Sequence, residues 1–214
     1  MRKLFEPRRR LAIARTHLIL LPGAYQSPEA VLQADFLGAV RRRAIDADLS
    51  VVDFEPEFLT DRSGLCALRD EVVSPSRSRG YAGIWLVGIS LGGYHALDYL
   101  SRYPNEIDGV CLVAPYLGNR MIAGEIARAG GLAAWSPGEL APDDDERRIW
   151  RFIKTCAESP LRVYLGFGRE DRFAEVQQIM AAALPSSACR IIAGGHDWNT
   201  WLALWETFLE SGTL

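Results

Sequence analysis

The chain has 214 residues, of which 49% are hydrophobic and 24% charged, the proportions of one ordinary globular domain. A globule of this length buries roughly 70–75% of the surface its unfolded chain exposes, so it needs no disulfide or metal to fold. Disordered and collagen-like classes are excluded, and a net charge of −3 supplies no overall basic field for nucleic acid.

In chain order, the first feature is a basic run, Arg2, Lys3, Arg8, Arg9, Arg10 and Arg15 against the single acid Glu6. Residues 1–15 are expected to form a solvated arm, and residues 16–214 the domain. Leu11-Ala12-Ile13-Ala14 is too short for the apolar region of a signal peptide. No run approaches the roughly 18 apolar residues of a membrane span, so a cytoplasmic protein without membrane partners is expected. Cys66, Cys111, Cys156 and Cys189 are scattered without a C-x-x-C pair and read as thiols of a reducing compartment, Cys111 in the core.

Short apolar runs at 17–21, 49–54, 84–88, 109–114, 162–167 and 189–193 alternate with longer amphipathic stretches. These stretches lie at 28–46, about 61–73, 92–103, 143–156, 173–184 and 198–210. That rhythm predicts one doubly wound, mostly parallel α/β sheet of about six strands with helices on both faces. Ser27-Pro28 has the form of a capped helix start, and 74–80 reads as a polar loop. The connection 116–142 is long for a compact domain, carries five glycines, and is expected to be a small lid. The acidic run 143–146 lacks the alternating spacing of calcium ligands and reads as a solvated helix start.

The run Gly88-Ile89-Ser90-Leu91-Gly92 stands directly after a buried-strand pattern and directly before a helical one. A nucleophile at the tip of a sharp strand-to-helix turn needs strained backbone angles, and glycines two residues to either side avoid the resulting clash. The turn exposes the hydroxyl, and the helix start offers free N–H groups to a developing oxyanion. Of three histidines, His17 precedes the turn and His95 sits along its helix, which leaves His196, in the Gly194-Gly195 loop after the last strand, as the base. The orienting acid is expected after the preceding strand, at Asp171, with Glu170 as its neighbour and rival; Asp197 is adjacent to His196 and poorly placed. Leu91 and either Ala24 or Tyr25, in the loop after the first strand, are the candidate oxyanion donors.

These residues resemble the α/β-hydrolase superfamily over about residues 17–208, most strongly at the Ser90 turn, the 168–171 turn and the Gly195-His196 loop. The resemblance implies a minimal six-stranded member, with residues 1–15 in place of the usual first hairpin. The stretch 194–201 is similar to the histidine loop of bacterial esterases of the esterase D and enterochelin-esterase kind, which implies that Trp198 and Trp201 pack behind that loop. The oxyanion loop reads Leu-Pro-Gly-Ala-Tyr where many members have His-Gly, and 116–142 matches no family signature.

The expected activity is hydrolysis of carboxylic esters or thioesters by a Ser90–His196–Asp171 triad, without cofactor or metal. Trp135, Leu132 and Ile126 are the candidate lining of a modest acyl pocket for short or medium chains. The rivals are other acyl chemistry on the same triad (peptidase, lactonase, acyltransferase), a non-catalytic binding protein on the same fold, and a flavodoxin-like binder. The last lacks a phosphate-cradling glycine motif after a strand.

Overall fold

In a central strand covered by helices on both faces, every side chain must be apolar or paired, and that requirement places the strands here. The computed structural model describes residues 1–7, 14–53, 63–156 and 158–214. Its strands are β1 (Lys3–Glu6), β2 (Thr16–Leu21), β3 (Ala47–Val52), β4 (Gly83–Ile89), β5 (Gly109–Val113), β6 (Arg162–Gly168) and β7 (Cys189–Ile192). They form one sheet in the order β1-β3-β2-β4-β5-β6-β7. All neighbours are parallel except β1, which runs antiparallel to β3. Every residue of β2, β3, β4 and β5 is buried.

The helices are α1 (Pro28–Gln33), α2 (Phe36–Arg42), α3 (Ser63–Leu68), α4 (Ser74–Arg79), α5 (Leu91–Arg102) and α6 (Arg120–Arg128), then α7 (Asp145–Cys156), α8 (Ala174–Ala181) and α9 (Trp198–Glu210). One face of the sheet packs Ile84 and Leu86 against Ala96 and Leu100 of α5 and Ile149 and Trp150 of α7. The other packs Trp85 and Val87 against Phe36 of α2 and Trp205 and Phe208 of α9. Among the described residues no helix is long and apolar enough to cross a membrane.

Three local expectations are corrected. The start of the chain is not a solvated arm throughout, and the sheet has seven strands where about six are expected: Lys3–Glu6 pairs along β3 from Val52 to Leu49, and Arg41 donates to the Glu6 carbonyl at 2.9 Å. The single helix expected over 28–46 breaks at Asp35, which takes a left-handed φ of 67° between α1 and α2. The polar loop expected at 74–80 is helical. A π turn at Arg69–Val73 runs without a break into α4, Ser74 N–H still bonding the Arg69 carbonyl, and this wider turn is where the chain accommodates Pro75, which has no N–H to donate. Gly80, at φ 86°, ends that helix. Arg8, Arg9 and Arg10 of the basic run, Phe54 and Asp61 lie outside the described residues.

Candidate active site

β4 ends at Ile89 and α5 begins at Leu91, so Ser90 alone makes the turn from strand to helix. Its φ of 51° and ψ of −114° lie where an L-residue is strained, and three backbone hydrogen bonds hold it there. Ser90 N–H donates to Val113 at 3.0 Å, and the Ser90 carbonyl accepts from Gly93 and Tyr116 at 2.9 Å each. The spacing of the motif follows from contact distances. A Cβ built on Gly92 would lie 1.9 Å from the Leu21 carbonyl oxygen, and one on Gly88 would lie 2.5 Å from Gly93 Cα. Both neighbours are backbone and cannot step aside.

The histidine loop is held from the acidic turn after β6. Glu170 N–H donates to the Gly194 carbonyl at 3.1 Å, and Gly194 N–H donates to Glu170 Oε2 at 2.5 Å. The two neighbouring acids therefore divide their tasks: Glu170 grips the loop backbone, while Asp171 meets the imidazole. His196 Nδ1 lies 2.8 Å from Asp171 Oδ2, and His196 Nε2 lies 2.8 Å from Ser90 Oγ. Asp171 Oδ1 accepts from Phe173 N–H at 2.8 Å, and the Asp171 side chain is fully buried. With an ionised carboxylate acting only as acceptor, Nδ1 carries the proton and Nε2 accepts from the Ser90 hydroxyl. Asp197 serves elsewhere, capping α9 through Thr200 N–H at 3.0 Å, and that bond holds its carboxyl below the ordinary aspartate range.

Rings enclose the imidazole. Trp201 and Phe173 meet it edge-on with centroids 5.0 and 5.1 Å away, and Trp198 stands behind Trp201 at 5.1 Å. Tyr116 packs on Phe173 at 5.4 Å. Phe173 and Tyr116 were missed by sequence reasoning, although Phe173 stands just after the 168–171 turn and Tyr116 opens the long connection 116–142.

The loop after β2 crosses the start of α5, and Gly23 lies close enough that a Cβ there would come within 3.3 Å of Ser90 Cβ. Gln26 closes the turn by donating its N–H to the Gly23 carbonyl at 3.2 Å, with Tyr25 at φ 60° and its ring fully exposed. Gly23 is thus the residue of this loop that lies against Ser90, and Ala24 and Tyr25 follow it in the same turn; the Leu91 N–H, at the first position of α5, has no acceptor within its own helix.

The structure does not bring Trp135, Leu132 and Ile126 to Ser90. They are 4%, 7% and 1% exposed and pack in the core with Ile149, Trp150 and Ile153 of α7. Ile126 and Leu132 line a cavity of about 600 Å³ walled also by Glu175, Gln178 and Ile179 of α8; neither Ser90 nor His196 lines it. The acyl-pocket expectation is corrected accordingly: burying five apolar residues of 116–142 against the sheet face outweighs presenting them to the site. His17 and His95 are buried away from Ser90, and burial pulls each down to about 4.

A mostly parallel sheet with a strained serine between β4 and α5 and a histidine after the last strand defines an α/β-hydrolase. The chain belongs to the esterase family: the model of the family described as "Putative esterase" matches residues 74–207, more than half its length and all three members of the Ser90–His196–Asp171 chain. No curated protein matches the sequence. Among solved structures it is similar to the monoacylglycerol lipase of Paleococcus ferrophilus, with a TM-score of 0.62, 14% identity and 99% of each chain covered. It is similar also to Est1E from Butyrivibrio proteoclasticus, with a TM-score of 0.61, 16% identity, and 98% of this chain and 93% of that one covered. A third is FphF, a fluorophosphonate-binding serine hydrolase of Staphylococcus aureus, with a TM-score of 0.60, 12% identity and coverage of 96% and 83%. At such identities the likeness is one of fold.

Proposed function

We propose that the protein hydrolyses carboxylic esters or thioesters through an acyl-enzyme on Ser90. The observation that carries this reading is the unbroken chain from Ser90 Oγ through His196 to Asp171, with 2.8 Å at each link. Ser90 Oγ attacks the acyl carbonyl and its proton passes to His196 Nε2, while Asp171 keeps the imidazole in one tautomer and stabilises its charged form. The oxyanion is met by Leu91 N–H and by the N–H of Ala24 or Tyr25. Collapse of the tetrahedral adduct breaks the ester bond, and the leaving alcohol or thiol takes the proton from Nε2. Water then attacks the acyl-enzyme, giving a proton to Nε2 that returns to Ser90 as the acid departs. Every proton and electron pair comes from these groups and from water.

The test is labelling by a fluorophosphonate probe, the chemistry that FphF is named for binding. Wild type should label, Ser90→Ala should not, and His196→Ala should label on the order of 10³-fold more slowly or worse. A folded wild type that takes no label, or a Ser90→Ala variant that labels as fast, overturns the reading. Nitrophenyl esters and acyl thioesters would then separate the two substrate classes.

A further inference from the structure

We propose that the substrate carries an anionic group, a carboxylate or phosphate, held beside Phe173 by Arg120 and Arg172; this rests on the serine-hydrolase reading above. A cavity of about 200 Å³ opens between the segment after β5 and the segment after β6, walled by Tyr116, Gly118, Arg120, Arg172, Phe173 and Glu175 among others. Two of these walls touch the reacting pair. Tyr116 N–H donates to the Ser90 carbonyl at 2.9 Å, and the Phe173 ring lies 5.1 Å from the His196 ring. The cavity therefore borders the reacting pair through these two residues, although neither Ser90 nor His196 lines it.

The charges around the cavity are unbalanced in a chain of net charge −3. Several arginines are tied to acids, Arg102 to Asp98 and Asp145 and Arg147 to Glu125 and Asp144 among them. Arg172 instead lies over the Phe173 ring, its Cζ 4.8 Å from the centroid, and among the described residues neither it nor Arg120 forms an ion pair. Arg120 opens α6, whose first turn holds no acid, so the helix gains nothing from that charge. Glu175 is the one acid on the cavity wall, and Glu146, packed on Gly118, accepts from Asn119 N–H at 3.1 Å. Two guanidiniums against one lining carboxylate, set on aromatic walls, match an anion on a short apolar stem. A plain alkyl chain would make no use of either cation.

The experiment compares kcat/KM for nitrophenyl esters of succinate or glutarate with neutral acyl esters of equal length, and for butyrates of phenols with and without a ring carboxylate. One of the two anionic series should exceed its neutral counterpart on the order of tenfold, chiefly through KM, and high salt should erode the advantage. That ratio should fall to near one in Arg120→Gln/Arg172→Gln, whereas Arg151→Gln, an exposed arginine away from the cavity, should keep it. Equal turnover of anionic and neutral esters, or a ratio indifferent to the double variant, overturns the proposal and leaves the hydrolase reading standing. A protein that neither labels nor turns over any ester overturns both.

Discussion

At Ser90 the backbone holds a conformation that a side chain resists, and the surrounding carbonyls and N–H groups over-determine it. Removing the Cβ relieves that strain, so Ser90→Gly should melt above Ser90→Ala by roughly 2–8 °C, for about 1–2 kcal/mol, with neither variant taking label. Calorimetry of the two variants checks this, and a glycine variant melting at or below the alanine one would remove the case for strain. At Asp171 the two carboxylate oxygens have separate partners, Phe173 N–H and His196 Nδ1. In Asp171→Asn the amide oxygen stays with Phe173, so the NH2 group faces Nδ1 and drives the imidazole proton to Nε2, where it can no longer accept from Ser90. Turnover should fall on the order of 10⁴-fold with little change in melting, and a loss under tenfold would mean that Asp171 does not orient His196. Ser90 and the elimination that left His196 were legible in the sequence because glycine spacing and chain order are local facts. The pocket residues were not, since which way a side chain faces after an irregular segment depends on what the segment packs against.

Among elements, the buried strands were legible for the same reason: β2 to β5 are nearly unbroken apolar runs, and no other local structure buries such a run so cheaply. β1 was hidden. Its four residues, Lys-Leu-Phe-Glu, alternate in exposure as an edge strand does, but their sequence sets two apolar residues side by side inside an arginine-rich run that dominates any window. The helical turn at Ser74–Arg79 was hidden by Pro75, which argues against a helix until the preceding π turn is known. β1 shields the edge of β3, and Lys3, Arg2 and the terminal amine tie it down: Lys3 Nζ to the Glu71 carbonyl at 2.8 Å, the Arg2 carbonyl to Asp53 N–H at 2.9 Å, and the amine to Glu71 at 3.2 Å. Deleting residues 1–7 uncovers that edge. The expected cost is about 2–4 kcal/mol, a fall in melting temperature of roughly 4–16 °C, and aggregation on standing, while fluorophosphonate labelling of the soluble fraction persists. An unchanged melting temperature would show that the pairing contributes nothing in solution.

Across the whole molecule, the amino edge of the sheet is joined by a buried polar network remote from Ser90. His17, the second residue of β2, lies 2.7 Å from Ser76 of α4 and 2.8 Å from Ser50 of β3, and it stacks on Tyr81. The Ser76 hydroxyl donates to the Val72 carbonyl at 2.6 Å, so His17 Nδ1 must donate to Ser76 and Nε2 must accept from Ser50. Neutral imidazole satisfies every group, whereas a second proton would face Ser50 Oγ with no acceptor role left for Nε2. Burial lowers the His17 pKa to about 4, with Arg79 and Lys3 pushing the same way and Asp48 against; burial alone does the same to His95. Unfolded histidine takes its proton near pH 6.5, so the unfolded chain binds more protons between pH 6.5 and about 4. Stability from these groups is therefore full above pH 6.5 and is lost as the pH falls, by up to about 3 kcal/mol for each histidine at the lower end. Asp98 and Glu146, whose pKa values burial raises, oppose this loss at the acid end, so the comparison of slopes is what decides. Urea unfolding between pH 8 and pH 4.5 should show wild-type stability falling with acid, and His17→Gln, less stable throughout, should fall about one proton less steeply. Parallel slopes in the two proteins would mean that His17 is not held neutral by the fold, and the network would then be a consequence of packing with no part in the acid response.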